Sequence, residues 1–129
     1  MKRIIACLLA WLGICLGCGA QKPTQVSPEE FAKGLAADST AVLLDVRTSK
    51  EFKAGHIKGA VELDWLNPEG FKAGLAKLSE KPVYYVYCRS GKRSAAAAAK
   101  MRAEGFRVVD LQGGFLGWQQ AGYPVEKED

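Results

Sequence analysis

Val83-Tyr84-Tyr85-Val86-Tyr87-Cys88-Arg89-Ser90-Gly91-Lys92-Arg93-Ser94 is the stretch from which the rest of the chain can be read. Its first five residues are apolar or aromatic without alternation, the pattern of a strand buried on both faces, as in a parallel sheet. A short polar turn with one glycine follows. Ala95 to Met101 is then a run of strong helix formers, and Gly105 stops it. Strand, tight turn and helix in that order predict one unit of an α/β domain.

The same alternation continues on both sides. Ala41-Val42-Leu43-Leu44 and Val108-Val109-Asp110-Leu111 are two more strand-like runs, and Ala60-Val61-Glu62-Leu63 is a weaker one. Ser27-Pro28-Glu29-Glu30 opens a helix: Ser27 caps it, Pro28 suits the first turn, and Glu30 is placed to complete a capping box. Phe31 and Leu35 then share a face. Phe71, Leu75 and Leu78 share a face of another helix. A last short helix fits Phe115 to Gln120, ended by Gly122 and Pro124. Strands alternating with helices predict a mostly parallel sheet.

The 129 residues suit one domain, and 48% hydrophobic with 25% charged residues is ordinary globular usage. Lys and Arg number 18 against 14 acidic residues, a net +4 with no dense basic block, so nucleic acid has no electrostatic case. Met1-Lys2-Arg3 and the apolar run from Ile4 to Leu16 read as an export signal. The run is too short for an ordinary membrane-spanning helix, which needs about 20 apolar residues. It ends Cys15-Leu16-Gly17-Cys18, similar to a bacterial lipobox, with Cys18 as the lipidated residue; Cys15 stands where that pattern prefers Leu. A plain secretory signal or an uncleaved anchor is the alternative. The expected organisation is a signal over 1–17, a polar tether over 18–26 with a short strand at its end, and one domain over 27–127. Cys7 and Cys15 leave with the signal and Cys18 is capped, so Cys88 stands alone. That excludes a disulfide framework and a multi-cysteine metal site.

A lone cysteine is either an inert core residue or a reactive thiol. Cys88 has Arg89, Lys92 and Arg93 within five residues and a helix about to begin. Cations and a helix N-terminus favour the thiolate, which is the nucleophile. Gly91 lets successive backbone N–H groups turn inward as an anion-binding nest. Ser94 is a natural cap for the helix. Sites of open parallel sheets form where Cys88 stands, at the carboxyl end of a strand.

Three segments resemble the rhodanese family of sulfurtransferases: Leu44-Asp45-Val46-Arg47 with Glu51-Phe52 and Gly55-His56-Ile57-Lys58-Gly59-Ala60; Cys88 to Ser94; and Leu111-Gln112-Gly113-Gly114-Phe115 with Trp118 and Gly122-Tyr123-Pro124-Val125. The resemblance spans about Ser27 to Val125. It implies a three-layer α/β domain with a mostly parallel central sheet flanked by helices. It also implies that Cys88 takes sulfur from an anionic donor such as thiosulfate as a persulfide, then yields it to cyanide, a thiol or a protein acceptor, with no metal or organic cofactor. Arg89, Ser90, Gly91, Lys92 and Arg93 would bind substrate, and Asp45, Arg47 and Ser94 would support the loop. A persulfide carrier or a binding module with little turnover is the alternative. Related cysteine phosphatases and arsenate reductases use a longer loop, whereas Cys88 and Arg93 enclose only Arg89, Ser90, Gly91 and Lys92. Glu51 and His56 read as structural, Phe115 and Trp118 as core, and Trp65 as a pocket rim or a buried anchor. With the lipid anchor, the domain is expected outside the cytoplasm, on the periplasmic or cell-surface side of a bacterial membrane.

Overall fold

The computed structural model describes residues 25–128. The expected signal, Cys18 and the tether up to residue 24 lie outside the described residues. Five strands form one parallel sheet: β1 (Gln25–Val26), β2 (Val42–Asp45), β3 (Val61–Glu62), β4 (Val83–Tyr87) and β5 (Arg107–Leu111). Their spatial order is β1-β5-β4-β2-β3. The helices are α1 (Pro28–Ala37), α2 (Ser49–Ala54), α3 (Pro68–Ala76), α4 (Lys92–Ala103) and α5 (Gly114–Gln120).

Two apolar cores explain the unbroken hydrophobic runs. Side chains alternate across a strand, so a strand covered on both faces needs apolar residues at every position. Tyr84 and Val86 of β4 and Leu44 of β2 join Phe71, Leu75, Met101 and Phe106 under α3 and α4. Tyr85, Tyr87 and Leu43 face the other way, with Phe31 of α1 and Phe115 and Trp118 of α5. Phe31 meets Tyr85 edge-on at 5.2 Å and Trp118 at 6.1 Å. The result is helix layers on both faces of the sheet.

Local signals hold with three adjustments. The short strand expected at the end of the tether forms: Gln25 and Val26 pair with Asp110 and Leu111 as the edge strand. Ser27 caps α1 by accepting the Glu30 N–H at 3.2 Å, but the reciprocal capping box forms at α2 instead. There Thr48 Oγ1 accepts the Glu51 N–H at 3.3 Å, and Glu51 Oε1 accepts the Thr48 N–H at 3.1 Å. Helix α2, six residues long, is too short to show a hydrophobic period, so the sequence pattern did not mark it. Leu78 lies beyond the end of α3, although it still packs against the core.

Candidate active site

The site is built where β4 gives way to α4. Cys88 lies just past the carboxyl end of β4 and is 1% exposed. Only Arg89, Ser90 and Gly91 separate it from the first residue of α4. Gly91 is the helix N-cap at φ 106°, a conformation that glycine adopts without a Cβ penalty. That turn aims the Gly91 N–H at Cys88 Sγ, 3.1 Å away. The sulfur is therefore faced by a backbone donor at the positive end of a 12-residue helix.

A second turn clamps the loop from below. Gly113 and Gly114 both have positive φ, 76° and 58°, at the start of α5. The α5 amides that have no partner within their own helix reach across: Phe115 N–H donates to Cys88 O at 2.8 Å and Leu116 N–H to Arg89 O at 3.1 Å. A Cβ on Gly114 would lie 2.5 Å from Arg89 O and 2.6 Å from Cys88 O, so only glycine permits this approach.

The expected site residues divide by what holds them. Arg89, Ser90 and Lys92 are exposed. Neither Arg89 nor Lys92 forms an ion pair among the described residues. Arg93 faces Glu51 instead, donating to both its carboxylate oxygens at 2.8 and 3.0 Å. Those hydrogen bonds hold the Glu51 carboxyl down to about 2, against the opposing effect of burial. They also raise the Arg93 pKa. Ser94 does not cap α4. It sits inside the first turn, fully buried, and its Oγ donates to Gly91 O at 3.2 Å. Gly91 occupies the cap position because its backbone must turn left-handed there.

Asp45 is the last residue of β2, in register with Tyr87 of β4, and Arg47 follows two residues later. Both are buried, with Arg47 Nη2 2.6 Å from Asp45 Oδ2. Arg47 also donates to Gly55 O at 2.6 Å and lies over the Phe115 ring at 4.4 Å. Burial opposes its charge, but the hydrogen bonds and charge of Asp45 outweigh that and raise its pKa. The Tyr87 hydroxyl accepts the Ile57 N–H at 3.0 Å, and burial raises the pKa of its phenol. Arg47 and Arg89, with Phe115 and Leu116, line a cavity of about 230 Å³ beside the loop.

His56 is buried. Its Nδ1 bonds Phe52 O at 2.9 Å, and its ring stacks on Phe52 at 3.9 Å. Trp65 packs edge-on against Phe71 at 4.9 Å as an anchor of the α3 side and takes no part in the cavity beside the loop. The sequence left three features unread: the bond of Glu51 to Arg93, and the approach of Gln25 and Asp110 to the loop. The capping pattern at Thr48 and Glu51 was a usable signal for the first.

The rhodanese-like domain model matches residues 27–121. A sulfurtransferase of Allochromatium vinosum is 33% identical over 106 residues, covering 78% of this chain and 92% of that protein. Thiosulfate sulfurtransferase GlpE of Pseudomonas putida is 39% identical over 100 residues, covering 77% and 87%. The putative sulfur carrier protein YrkF of Bacillus subtilis is 33% identical over 96 residues, and the match covers 73% of this chain and half of that protein. A crystal structure of a rhodanese-related protein from Thermoplasma volcanium superposes with a TM-score of 0.70 at 26% identity, covering 79% of this chain and 96% of that one. The chain belongs to the rhodanese-like family, a family that includes sulfurtransferases.

Proposed function

We propose that this protein is a sulfurtransferase that carries sulfane sulfur as a persulfide on Cys88. The observation that carries the proposal is the Gly91 N–H, 3.1 Å from Cys88 Sγ at the mouth of α4. That donor suits an anionic sulfur, whether thiolate or persulfide. In the first half-reaction the Cys88 thiolate attacks the outer sulfur of thiosulfate. The S–S bond of the donor breaks and its electron pair leaves with sulfite. In the second, cyanide or a thiolate attacks the outer persulfide sulfur and restores the Cys88 thiolate. This is covalent catalysis in two steps, with ping-pong kinetics expected. Arg89 and Lys92 supply exposed positive charge to draw the donor in.

The short loop favours sulfur over phosphate. Arg93, the residue that would grip a tetrahedral anion in a phosphatase or arsenate reductase, is held in a two-point bond to Glu51. A carrier role with little turnover of thiosulfate is the second reading, favoured by the likeness to a putative sulfur carrier. A binding module without chemistry is disfavoured by the presence of Cys88 itself.

Mass spectrometry after incubation with thiosulfate tests the proposal. The wild-type protein is expected to gain one sulfur atom on Cys88, and cyanide is expected to remove it as thiocyanate. Cys88→Ser should gain none and lose transfer while keeping its fold, because oxygen cannot form the persulfide and the two side chains are nearly equal in size. Activity of Cys88→Ser near that of the wild type would sink the mechanism. Sulfur loading without catalytic turnover would select the carrier role.

A further inference from the structure

We infer that Gln25, which lies before the family-defining segment, is a positioning residue for the Cys88 loop. The inference rests on the proposed role of Cys88 as a sulfur-bearing nucleophile. Gln25, Asp110 and Val86 lie side by side in parallel register across β1, β5 and β4. Neighbours in register point to the same face of a sheet, and Cys88 follows Val86 by two residues, the period of one face. The row therefore runs under the start of α4, and its edge is polar.

The polar edge reaches the loop. Gln25 Nε2 donates to Asp110 Oδ2 at 2.9 Å and to Gly91 O at 3.3 Å. Gly91 O is a carbonyl and can only accept, so the amide must present its nitrogen there. Asp110 is 1% exposed, and burial raises its pKa against the opposing pull of Ser94 and Gln25. A Cβ built on Gly91 would lie 3.4 Å from Gln25 Nε2, so the glycine packs directly on the amide. The other donors to Gly91 O, Ala95 N at 3.1 Å and Ser94 Oγ at 3.2 Å, belong to α4 itself. Gln25 is the donor that ties this carbonyl to the sheet.

Glycine is the most freely rotating residue, and Gly91 also supplies the N–H that faces the sulfur. Holding its carbonyl to the sheet limits rotation about the same residue, and so fixes the donor before sulfur arrives. A donor held in place beforehand needs no reorganisation during reaction. The short β1 strand thus does more than close a sheet edge. It completes the active-site loop from a position 66 residues away.

The test uses the full-length chain with Gln25→Met, which keeps side-chain length and removes both donors, and with Gln25→Ala. Two rates are read on folded protein: alkylation of Cys88 by iodoacetamide, and sulfur transfer from thiosulfate to cyanide. Both variants are expected to change the alkylation rate and to lower kcat by about tenfold, the low end of what losing an outer hydrogen-bond partner costs at metal sites. KM for thiosulfate should change by less than about twofold, since the exposed cations that attract the donor are untouched. Leu78→Ala, at the edge of the core and outside the contacts of Gln25 with Asp110 and Gly91, serves as a control for lost stability alone and should leave the alkylation rate within about twofold. Wild-type alkylation and kcat in folded Gln25→Met would overturn the inference, as would the same loss in Leu78→Ala. Alkylation needs the Cys88 thiolate but no transfer of sulfur to it. Failure of the wild-type protein to load sulfur would therefore sink the proposed function while the alkylation rates still decide the role of Gln25.

Discussion

Gly114 has less room than the other glycines around the thiol. Its φ of 58° and the 2.5 Å that would separate an added Cβ from Arg89 O mean that alanine there must push the Cys88 loop aside. Gly114→Ala is expected to cost about 1–3 kcal/mol of stability from backbone strain, with a further shift from the clash. Sulfur transfer should fall more than stability predicts, because the displaced carbonyls are those of Cys88 and Arg89. Urea unfolding and kinetics on the folded variant check both parts. Lys92 presents the opposite case, exposed and without an ion pair among the described residues. Lys92→Ala should leave stability within about 0.5 kcal/mol. It should weaken use of thiosulfate by about threefold or more and flatten the dependence of the rate on salt, as loss of a steering charge does. A neutral sulfur donor should be affected less. Equal losses for both donors at every ionic strength would remove Lys92 from donor attraction.

At the scale of elements, the Glu51–Arg93 pair joins α2 to α4. Glu51 caps the start of α2 through Thr48 and holds Arg93 in the first turn of α4. Its carboxyl pKa is lowered from 4.5 to about 2, with the Arg93 hydrogen bonds as the largest cause. A group whose folded pKa is depressed stabilises the protein above its unfolded pKa and loses that contribution as pH falls through the folded value. The stability advantage of wild type over Glu51→Gln should therefore be constant above about pH 5 and shrink towards pH 2. Acid unfolding followed by circular dichroism measures it. An advantage that grew on acidification would contradict the pair. The pairing also explains why one arginine of the loop is absorbed in structure while Arg89 and Lys92 stay exposed.

For the whole molecule, a sheet covered on both faces leaves its chemistry at one end, where β2, β4 and β5 deliver Asp45, Cys88 and the Gly113–Gly114 turn. No described helix is long and apolar enough to cross a membrane. We propose that attachment, if the N-terminal motif acts as its sequence suggests, comes from lipid on Cys18, with the domain held outside the cytoplasm. One acyl chain binds a membrane only marginally, so stable attachment needs the several chains of a bacterial lipoprotein. In a bacterial host the full chain should take up labelled fatty acid, and Cys18→Ala should not. A wild-type chain that takes up no label and fractionates as a free species would remove the anchor and leave the sulfur chemistry of Cys88 intact.

The sequence by itself determined the parallel sheet and singled out Cys88 as the candidate nucleophile. A strand buried on both faces has to be apolar throughout, so Val83–Tyr87 declares itself without reference to the rest of the chain. The Cys88–Ser94 turn is likewise local, since its length, its glycine and its charges are contiguous. Only the tertiary structure decided which partners these groups take. Arg93 binds Glu51 across 42 residues, and Gln25 reaches Asp110 across 85. Such pairings leave no periodic trace, because they depend on which strands become neighbours in the sheet. Ser94 shows the limit at short range: it has the composition of a cap, yet the cap is Gly91, three residues earlier, and α4 starts at Lys92. Backbone geometry, set by the loop's need to face the sulfur, overrode the local side-chain preference.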